Sequence, residues 1–502
     1  MTATMTAMSN SAPVLVVGAG IMGSGIAQVA ALAGHPVLLY DVAPGAATDA
    51  ITNLGQSFDK LVARGKFDPG TASQALARIK AIDSLQEATT VPLVIEAVVE
   101  DIEIKRGLFQ QLEKILSDNC ILASNTSSIS LSALARDLVQ PQRLVGMHFF
   151  NPVPLMRLVE VVSGVHTSAA VRQSISELAE AWGKVPVQAQ STPGFIVNRI
   201  ARPYYAEALA LLQERAAEPM VVDACMRAAG FRMGPCELMD LIGHDTNLAV
   251  TRSVYEANFY DKRYMPSLLQ QSMVDAGLLG RKSGRGFYDY SEPKVAVDSD
   301  IIPPQDTPHH EEISVHGDHP IADHFARILD ECGSEYQRRK DSDWCGLQID
   351  HAELRLTDGR CAGQLGDEVA VFDLPLTRTG ALAWSRAASA SSRWTEAVPR
   401  WLAIFGFDAR LVADTPGLVL ARTISMLINE AADAVQQGVC NESDADTAMQ
   451  LGVNYPAGPF AWLSDLGVTA VVEILRHLDD YYRGERYRVS PWLRQKSWQQ
   501  KK

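Results

Sequence analysis

The amino-acid sequence predicts an α/β fold in which a doubly wound, mostly parallel sheet precedes an all-α domain that is duplicated near the C-terminus. Three observations support this fold class. Short apolar, β-rich runs alternate with helical stretches up to about residue 190, as in βαβ units. A glycine-rich turn follows the first of these runs, and a later helical segment repeats an earlier one.

The composition is that of an ordinary globular protein. The 502 residues are 47% hydrophobic and 21% charged, and a length of this kind suggests about three domains. A formal net charge of −14 argues against nucleic acid or an anionic membrane as a partner. Seven cysteines without a C-x-x-C pair indicate neither a disulfide framework nor a zinc ribbon. Because we find no signal peptide and no bilayer-spanning apolar run, we expect a cytoplasmic protein.

The apolar runs of the N-terminal part predict parallel strands. They contain valine, isoleucine and leucine in short stretches, which is typical of strands covered on both faces. The predicted strands are Val14–Val17, Val37–Tyr40, Val91–Glu96, Ile121–Ser124 and Arg143–Met147. Residues 1–190 are therefore expected to form one sheet domain.

The stretch Gly18-Ala-Gly-Ile-Met-Gly lies between the first predicted strand and a helix. Such glycines allow a tight turn and a close approach of the backbone to a pyrophosphate, and a helix N-terminus favours negative charge. Asp41 ends the next strand, where its carboxylate can bind the ribose hydroxyls and would repel a 2′-phosphate. We therefore predict a Rossmann domain that binds NAD; a flavin and a purely structural turn are the alternatives. The cofactor-binding residues predicted here are Gly18, Gly20, Ile21, Met22, Gly23 and Asp41.

Two helical domains are predicted beyond the sheet domain, over residues 191–290 and 409–502. The stretch Thr192-Pro-Gly-Phe-Ile-Val-Asn-Arg of the first is repeated as Thr415-Pro-Gly-Leu-Val-Leu-Ala-Arg in the second. Asn198 of the first copy is Ala421 in the second, so the second is a degenerate copy that cannot use this amide.

Residues 291–408 separate the two helical copies. The beginning of this segment is polar, acidic and rich in proline, as in a linker. Further on, 354–357 and 368–374 look like two strands around a turn, and 382–403 looks like a helix. We expect a linker followed by a small α/β segment.

Two further stretches resemble the L-3-hydroxyacyl-CoA dehydrogenase family: Ser124-Asn-Thr-Ser-Ser and Met147-His-Phe-Phe-Asn-Pro-Val-Pro-Leu-Met-Arg-Leu-Val-Glu-Val-Val. The resemblance extends through both the Thr192 stretch and Gly280-Arg-Lys-Ser-Gly-Arg-Gly-Phe-Tyr-Asp-Tyr, and the duplicated helical domain is similar to the long bacterial members. It implies NAD-dependent oxidation of an L-3-hydroxyacyl-CoA to a 3-oxoacyl-CoA. The implied substrates are 3-hydroxyadipyl-CoA, as in phenylacetate catabolism, or 3-hydroxybutyryl-CoA, as in fatty acid metabolism.

His148 is the predicted catalytic base. Hydride removal from a secondary alcohol requires a group that takes the hydroxyl proton near neutral pH, which suits histidine. His148 comes just after an apolar strand, at the carboxyl ends of the strands, where open parallel sheets bind ligands. Glu160 lies inside another apolar run, and a carboxylate on the other ring nitrogen would fix the tautomer and stabilise the imidazolium. The resemblance implies that His148 and Glu160 form a dyad.

The resemblance also assigns residues that bind the substrate and the cofactor. Ser127 and Asn198 would hold the reacting oxygen and the acyl group, although by themselves they could be a turn residue and a polar helix residue. Further predicted cofactor-binding residues are Glu100, Lys105, Asn125 and Asn151, and Glu100 and Lys105 could otherwise form a solvated charged pair.

Coenzyme A carries phosphates, so an acidic protein needs a local cationic patch to bind it. Ser57 and Arg64 match family positions that contact coenzyme A, within a helix that also carries Lys60 and Lys66. A solvated charge run is the alternative for this helix. No metal site is expected, because His309-His310 and the downstream cysteines lack ligand spacing.

The second helical copy has no cofactor domain of its own. We hypothesise that it packs beside the first copy and imitates the partner subunit of shorter relatives, giving either a monomer with an internal pseudo-dimer interface or a homo-oligomer. Enoyl-CoA hydratase and thiolase are the implied pathway neighbours. Two alternatives stay open: a β-hydroxyacid dehydrogenase for a free acid, which would use a catalytic lysine, and a non-catalytic NAD-binding relative.

Overall fold

The computed structural model describes residue 9, residues 11–291 and residues 312–500. The chain divides into two compact units. The first unit combines the residues up to Arg199 with Gln437–Val453, and the second combines Ile200–Gln436 with the residues from Asn454 onward. A short piece of the second helical copy therefore belongs to the unit that contains the N-terminal sheet.

The N-terminal part alternates strands and helices. Its strands are β1 (Val14–Val17), β2 (Val37–Tyr40), β3 (Ile79–Ala81), β4 (Leu93–Glu96), β5 (Ile121–Ser124), β6 (Leu144–Phe149), β7 (Leu158–Ser163) and β8 (Val185–Gln190). Its helices are α1 (Ile21–Leu32), α2 (Ala46–Ala63), α3 (Pro69–Ala77), α4 (Ile102–Ile115), α5 (Leu131–Ala135), α6 (Ala169–Ala181) and α7 (Val197–Ile200), with 3-10 turns at Leu85–Ala88 and Pro141–Arg143.

These eight strands form one sheet in the order β3-β2-β1-β4-β5-β6-β7-β8. β7 is antiparallel to β6, and the other neighbouring strands are parallel. β1 and β5 are buried along their whole length, because helices cover both faces of such a sheet. The predicted doubly wound sheet is confirmed. The C-terminal ends of β1, β2, β5 and β6 lie on the same side of this sheet.

The remaining described chain contains the two helical copies and the segment between them. The first copy has α8 (Arg202–Gln213), α9 (Pro219–Ala228), α10 (Pro235–Ile242), α11 (His244–Ala257) and α12 (Leu268–Asp275), with 3-10 turns at Lys262–Tyr264 and Arg281–Ser283. The middle segment has β9 (Ile313–His316), α13 (Pro320–Glu331), β10 (Gln337–Arg339), β11 (Gly346–Ile349), β12 (Ala352–Leu356), α14 (Ala362–Leu365), β13 (Val369–Phe372), β14 (Gly380–Arg386), α15 (Ser392–Ile404) and β15 (Phe407–Leu411). The second copy has α16 (Leu420–Gln436), α17 (Glu442–Val453), α18 (Pro459–Leu466), α19 (Val468–Tyr482) and α20 (Pro491–Gln500).

The middle segment builds a second sheet, in the order β10-β9-β11-β12-β13-β14-β15. β12 and β13 pair in parallel, so the expected turn between two adjacent strands is wrong. The expected helix over 382–403 is also wrong in its first part, because Gly380–Arg386 is a strand and α15 begins only at Ser392. The Ala- and Leu-rich run favours a helix locally, but Leu382–Ser385 are buried in the sheet, and this tertiary burial overrides the local preference.

The two helical copies pack against each other within the second unit, where α16 contacts α8. Glu207 of the first copy is fully buried and accepts hydrogen bonds from three side chains of the second: Arg422, Arg486 and Tyr487. Glu430 of the second copy is equally buried and bonds with two side chains of the first: Arg263 and Tyr264. Reciprocal buried carboxylates therefore hold the duplicated helices together.

Candidate active site

His148 and Glu160 face each other on neighbouring strands of the first unit. They are direct partners in the antiparallel register of β6 and β7, so the fold itself sets them opposite one another. His148 Nδ1 lies 2.6 Å from Glu160 Oε2. Glu160 is fully buried and His148 is 6% exposed, with the rings of Phe150 and Phe195 beside the imidazole. The two predicted dyad residues are thus brought together, and Nε2 is the imidazole nitrogen on the side away from Glu160.

The other carboxylate oxygen of Glu160 is also occupied. Oε1 accepts hydrogen bonds from the backbone N–H groups of Ile196 at 2.9 Å and Val197 at 3.0 Å. Ile196 immediately precedes the short helix α7, Val197 is its first residue and Asn198 is its second. One buried carboxylate therefore orients the histidine and at the same time anchors the turn that carries the predicted substrate-binding amide.

Ser127 lies in the loop that follows β5, and Glu100 organises this loop. Glu100 Oε1 accepts hydrogen bonds from Thr126 Oγ1 at 2.7 Å, from the Ser127 N–H at 2.9 Å and from Ser127 Oγ at 3.3 Å. Asn125, at the start of the loop, accepts a bond from the Phe149 N–H at 2.9 Å, directly next to His148. Asn125 thus ties the Ser127 loop to the end of the strand that carries His148.

Lys105 and Glu100 do not form the solvated pair that their spacing also allowed. Lys105 is 1% exposed, and its Nζ lies 2.7 Å from Glu96 and 3.0 Å from Glu100. Burial raises the pKa of Glu100, but the Lys105 charge and the hydrogen bonds from the Ser127 loop outweigh it and lower the pKa to about 2. The buried Lys105 and the partly exposed Glu100 thus support the loop together, and their contact with the cofactor stays a prediction.

Glu96 and Ser124 belong to this network, and sequence reasoning missed them. Glu96 is fully buried and accepts a hydrogen bond from Ser124 Oγ at 2.6 Å in addition to the one from Lys105. A signal was present, because Glu96 ends an apolar strand just as Glu160 interrupts one. A buried carboxylate in such a run requires a partner.

The glycine-rich turn has the geometry that a dinucleotide needs. Gly18 has a φ of 105°, and a Cβ there would lie 2.4 Å from the Ala97 carbonyl oxygen. A Cβ on Gly23 would lie 1.8 Å from the Gly18 oxygen, so the helix packs directly on the turn. A Cβ on Gly20 would meet no atom within 4 Å, which leaves open space in front of the N-terminus of α1.

The residues around this open space fit NAD. Ile21 is exposed and Met22 is half-buried at the start of α1. Asp41 stands directly after β2 and accepts hydrogen bonds from the N–H groups of Ala19 at 2.7 Å and Ala43 at 2.9 Å. The carboxylate is therefore fixed beside the turn, where its remaining lone pairs can accept bonds from ribose hydroxyls.

The other predicted site residues lie on the surface of the first unit. Asn151 is exposed in the loop between β6 and β7, next to a cis bond to Pro152. Ser57 is exposed on α2 and donates to the Asn53 carbonyl of the same helix, and Arg64 follows the end of α2. The structure shows no contact that ties these three residues to the dyad, among those it describes.

Comparison with known proteins matches the whole arrangement to one family. The profile described as "3-hydroxyacyl-CoA dehydrogenase, NAD binding domain" matches residues 13–192. The corresponding C-terminal domain profile matches residues 194–290 and again 417–501. The chain belongs to the 3-hydroxyacyl-CoA dehydrogenase family. Residues 354–416 match the family's "3-hydroxybutyryl-CoA dehydrogenase reduced Rossmann-fold domain", which corresponds to the β12–β15 part of the second sheet.

The relatives of this dehydrogenase differ in how much of the chain they match. A protein of Escherichia coli K12 named 3-hydroxyadipyl-CoA dehydrogenase is 42% identical over 98% of both chains. A crystal structure titled 3-hydroxybutyryl-CoA dehydrogenase, from the same bacterium, has a TM-score of 0.85 at 40% identity and covers 97% of this chain and 98% of its own. The shorter 3-hydroxybutyryl-CoA dehydrogenase of Clostridioides difficile is 40% identical and covers 55% of this chain and 99% of its own.

The dehydrogenase carries the NAD-binding domain of its family, as the glycine turn and Asp41 predicted. None of the helices that the structure describes is long and apolar enough to cross a membrane. His309 and His310 lie outside the described residues, and within the described ranges no group of three or more His, Cys, Asp or Glu side chains could hold a metal ion.

Proposed function

We propose that this dehydrogenase oxidises L-3-hydroxyacyl-CoA thioesters to 3-oxoacyl-CoA thioesters, reversibly and with NAD, through His148 as the catalytic base. The observation that carries the proposal is the buried pairing of His148 with Glu160, whose second oxygen anchors the turn before Asn198. Membership of the 3-hydroxyacyl-CoA dehydrogenase family supports the reaction class.

His148 takes the substrate hydroxyl proton on Nε2. Its Nδ1 is bonded to Glu160, so the Nδ1–H tautomer is favoured and Nε2 keeps the lone pair that a base needs. Glu160 holds the ring in this orientation and stabilises the positive charge that the ring gains. Bound NAD⁺ supplies the acceptor for the hydride that leaves C3. In the reductive direction, His148 returns the proton to the new hydroxyl.

Ser127 and Asn198 orient the reacting oxygen and the acyl group. A hydroxyl and an amide can donate to this oxygen without competing with His148 as bases. Ser127 is fixed through Glu100 and Asn198 through the Glu160-anchored turn, so both groups are held in place before the substrate binds. On the same proposal, Ser57 and Arg64 contact coenzyme A, and Asn125, Asn151, Glu100 and Lys105 line the cofactor site.

We propose 3-hydroxyadipyl-CoA as the main substrate and 3-hydroxybutyryl-CoA as the alternative. The full-length E. coli relative carries the first name, and the E. coli crystal structure carries the second. The chemistry then places a hydratase of the enoyl-CoA type before this step and a thiolase after it. The cytoplasmic location and the oligomeric state remain predictions.

The test is NADH oxidation by the purified chain with 3-oxoadipyl-CoA, acetoacetyl-CoA and free acetoacetate. We expect turnover of the thioesters without turnover of the free acid, and a higher kcat/KM for 3-oxoadipyl-CoA. Turnover of free acetoacetate alone would refute the thioester class, and NADH binding without any turnover would indicate the non-catalytic relative. The His148→Gln variant should bind NADH normally and lose roughly a thousandfold in kcat, and full turnover by this variant would refute the assigned base.

A further inference from the structure

A short piece of the second helical copy lies in the first unit, beside the proposed catalytic residues. This piece, Gln437–Val453, contains α17 and is called the docking segment below. α17 packs against β7, which carries Glu160, and against β8, the last strand of the sheet. The degenerate copy therefore supplies part of the surroundings of the dyad.

The docking segment satisfies backbone groups along the outer edge of β8. The Gln190 N–H donates to the Val439 carbonyl at 2.9 Å, and the Gln188 N–H donates to the Asp444 carboxylate at 3.1 Å. An edge strand presents unpaired N–H groups, and these two contacts pair them. They fix the strand that leads directly into the Thr192-Pro-Gly turn.

Gly452 of the docking segment approaches both sides of the Glu160 anchor. A Cβ on Gly452 would lie 2.7 Å from Leu158 Cδ2 and 3.0 Å from Val197 Cγ2. Leu158 stands two residues before Glu160 on the same face of β7, and Val197 donates its N–H to the Glu160 carboxylate. The absence of a side chain at 452 thus permits the contact that presses α17 onto the Glu160 anchor.

Gln437 reaches the residue that follows Asn198. Its Oε1 accepts a hydrogen bond at 2.9 Å from Nη1 of Arg199, whose side chain is 3% exposed. Arg199 and Asn198 are neighbours within α7, a helix of one turn. A contact that fixes Arg199 therefore restrains the orientation of Asn198.

The second unit contains the equivalent contact with the roles of the two helical copies exchanged. α9 of the first copy packs on β14, and the Ala413 N–H donates to the Ala216 carbonyl at 2.8 Å. Gln190 and Ala413 each stand two residues before the repeated threonine, so the two contacts are equivalent. Each helical copy thus contributes one helix, α9 or α17, that packs on the sheet preceding the other copy.

We infer, on the basis of the proposed function, that the docking segment is a positioning element of the catalytic centre. Gly452 and Gln437 hold the turn 195–199, so that Glu160 orients His148 and Asn198 meets the substrate. The second helical copy lacks the catalytic amide, yet it contributes to the reaction through this segment. The duplicated domain is therefore required for turnover, in addition to packing against the first helical copy.

The first test compares Gly452→Ala with Gly107→Ala in the full-length chain. Both glycines lie in helices of the first unit, but a Cβ on Gly107 meets no atom within 4 Å. Alanine favours both helices, so stability should not fall merely through helix preference. We expect Gly452→Ala to lower kcat roughly tenfold, because sub-ångström displacement of a catalytic group is costly, with NADH affinity unchanged and Gly107→Ala fully active.

The second test removes the Gln437 contact without adding bulk. Gln437→Leu should lower kcat with 3-oxoadipyl-CoA or acetoacetyl-CoA, and Gln437→Glu, which keeps an acceptor for Arg199, should restore it. Equal kcat values for Gly452→Ala and Gly107→Ala, per folded molecule, would overturn the inference, as would a Gln437→Leu variant that loses thermal stability but keeps the wild-type kcat. A wild-type chain that turns over no thioester would instead refute the proposed function.

Discussion

Replacing Glu160 with glutamine separates the two tasks of this carboxylate. The Glu160 oxygens bond to His148 on one side and to the N–H groups of Ile196 and Val197 on the other. In Glu160→Gln the amide oxygen must face the two N–H groups, because an NH₂ group cannot accept their hydrogen bonds. The NH₂ then points at His148 Nδ1, which has to accept and so moves the ring proton to Nε2.

The size of each effect follows from these contacts. A histidine with its proton on Nε2 cannot take the substrate proton there, and the equivalent tautomer error in a catalytic triad lowers kcat by about 10⁴. The anchor bonds survive in Glu160→Gln, so stability should fall by only about 1 kcal/mol, the difference between a charged and a neutral hydrogen bond. Glu160→Ala leaves two buried N–H groups without an acceptor, at about 1–3 kcal/mol each, and should be destabilised by about 2–6 kcal/mol.

The assay is NADH formation from L-3-hydroxybutyryl-CoA, together with NADH titration and urea unfolding of each variant. We expect Glu160→Gln to be folded, to bind NADH and to be almost inactive in oxidation. A Glu160→Gln variant that keeps more than about a tenth of the wild-type kcat would refute the tautomer argument, and a Glu160→Ala variant as stable as the wild type would refute the anchoring role.

Two other predictions concern the cofactor site and its acid sensitivity. Asp41→Asn should raise the NADPH-to-NADH ratio of kcat/KM by about tenfold or more, because a carboxylate close to a 2′-phosphate repels it by a few kcal/mol; an unchanged ratio in steady-state kinetics would contradict the assigned ribose contact. The folded-state pKa of Glu100, about 2, lies below its ordinary value of 4.5, so its stabilising effect is complete above pH 4.5 and is lost as the pH falls toward 2. As the pH falls over this range, the melting temperature of Glu100→Gln should therefore decrease less than that of the wild type. An equal decrease in both proteins would contradict the Lys105 and Ser127-loop contacts.

The sequence could predict the elements whose signals are local. β1, β2 and β5 have the predicted bounds, since short apolar runs next to a glycine turn or a loop leave little choice of structure. Glu160 interrupts such a run, which indicated a buried carboxylate that needs a partner, and the family resemblance implied that this partner is His148. The Glu96–Lys105 pair was not predictable, because the apolar run before Glu96 indicates a buried carboxylate but nothing local shows that Lys105, nine positions later, is buried with it. β14 was missed for a related reason: its Ala-Leu-Ala composition favours a helix until the sheet buries it.

The second unit shows that anchoring and catalysis are separable tasks. There the carboxylate of Asp373 accepts hydrogen bonds from the N–H groups of Val419, Leu420 and Ala421, the counterparts of the turn that Glu160 anchors. The residue opposite it on β14 is Ala383, whose carbonyl accepts the Asp373 N–H, so this sheet pairs no histidine with the anchoring carboxylate. Burial raises the pKa of Asp373 to about 6 despite these bonds, so folding is less favourable with this carboxylate ionised than with it protonated. The second unit has neither a histidine nor an asparagine at the corresponding positions, yet it has a buried carboxylate at this turn. This is the outcome expected if the turn needs its anchor in order to fold and needs the dyad only for turnover.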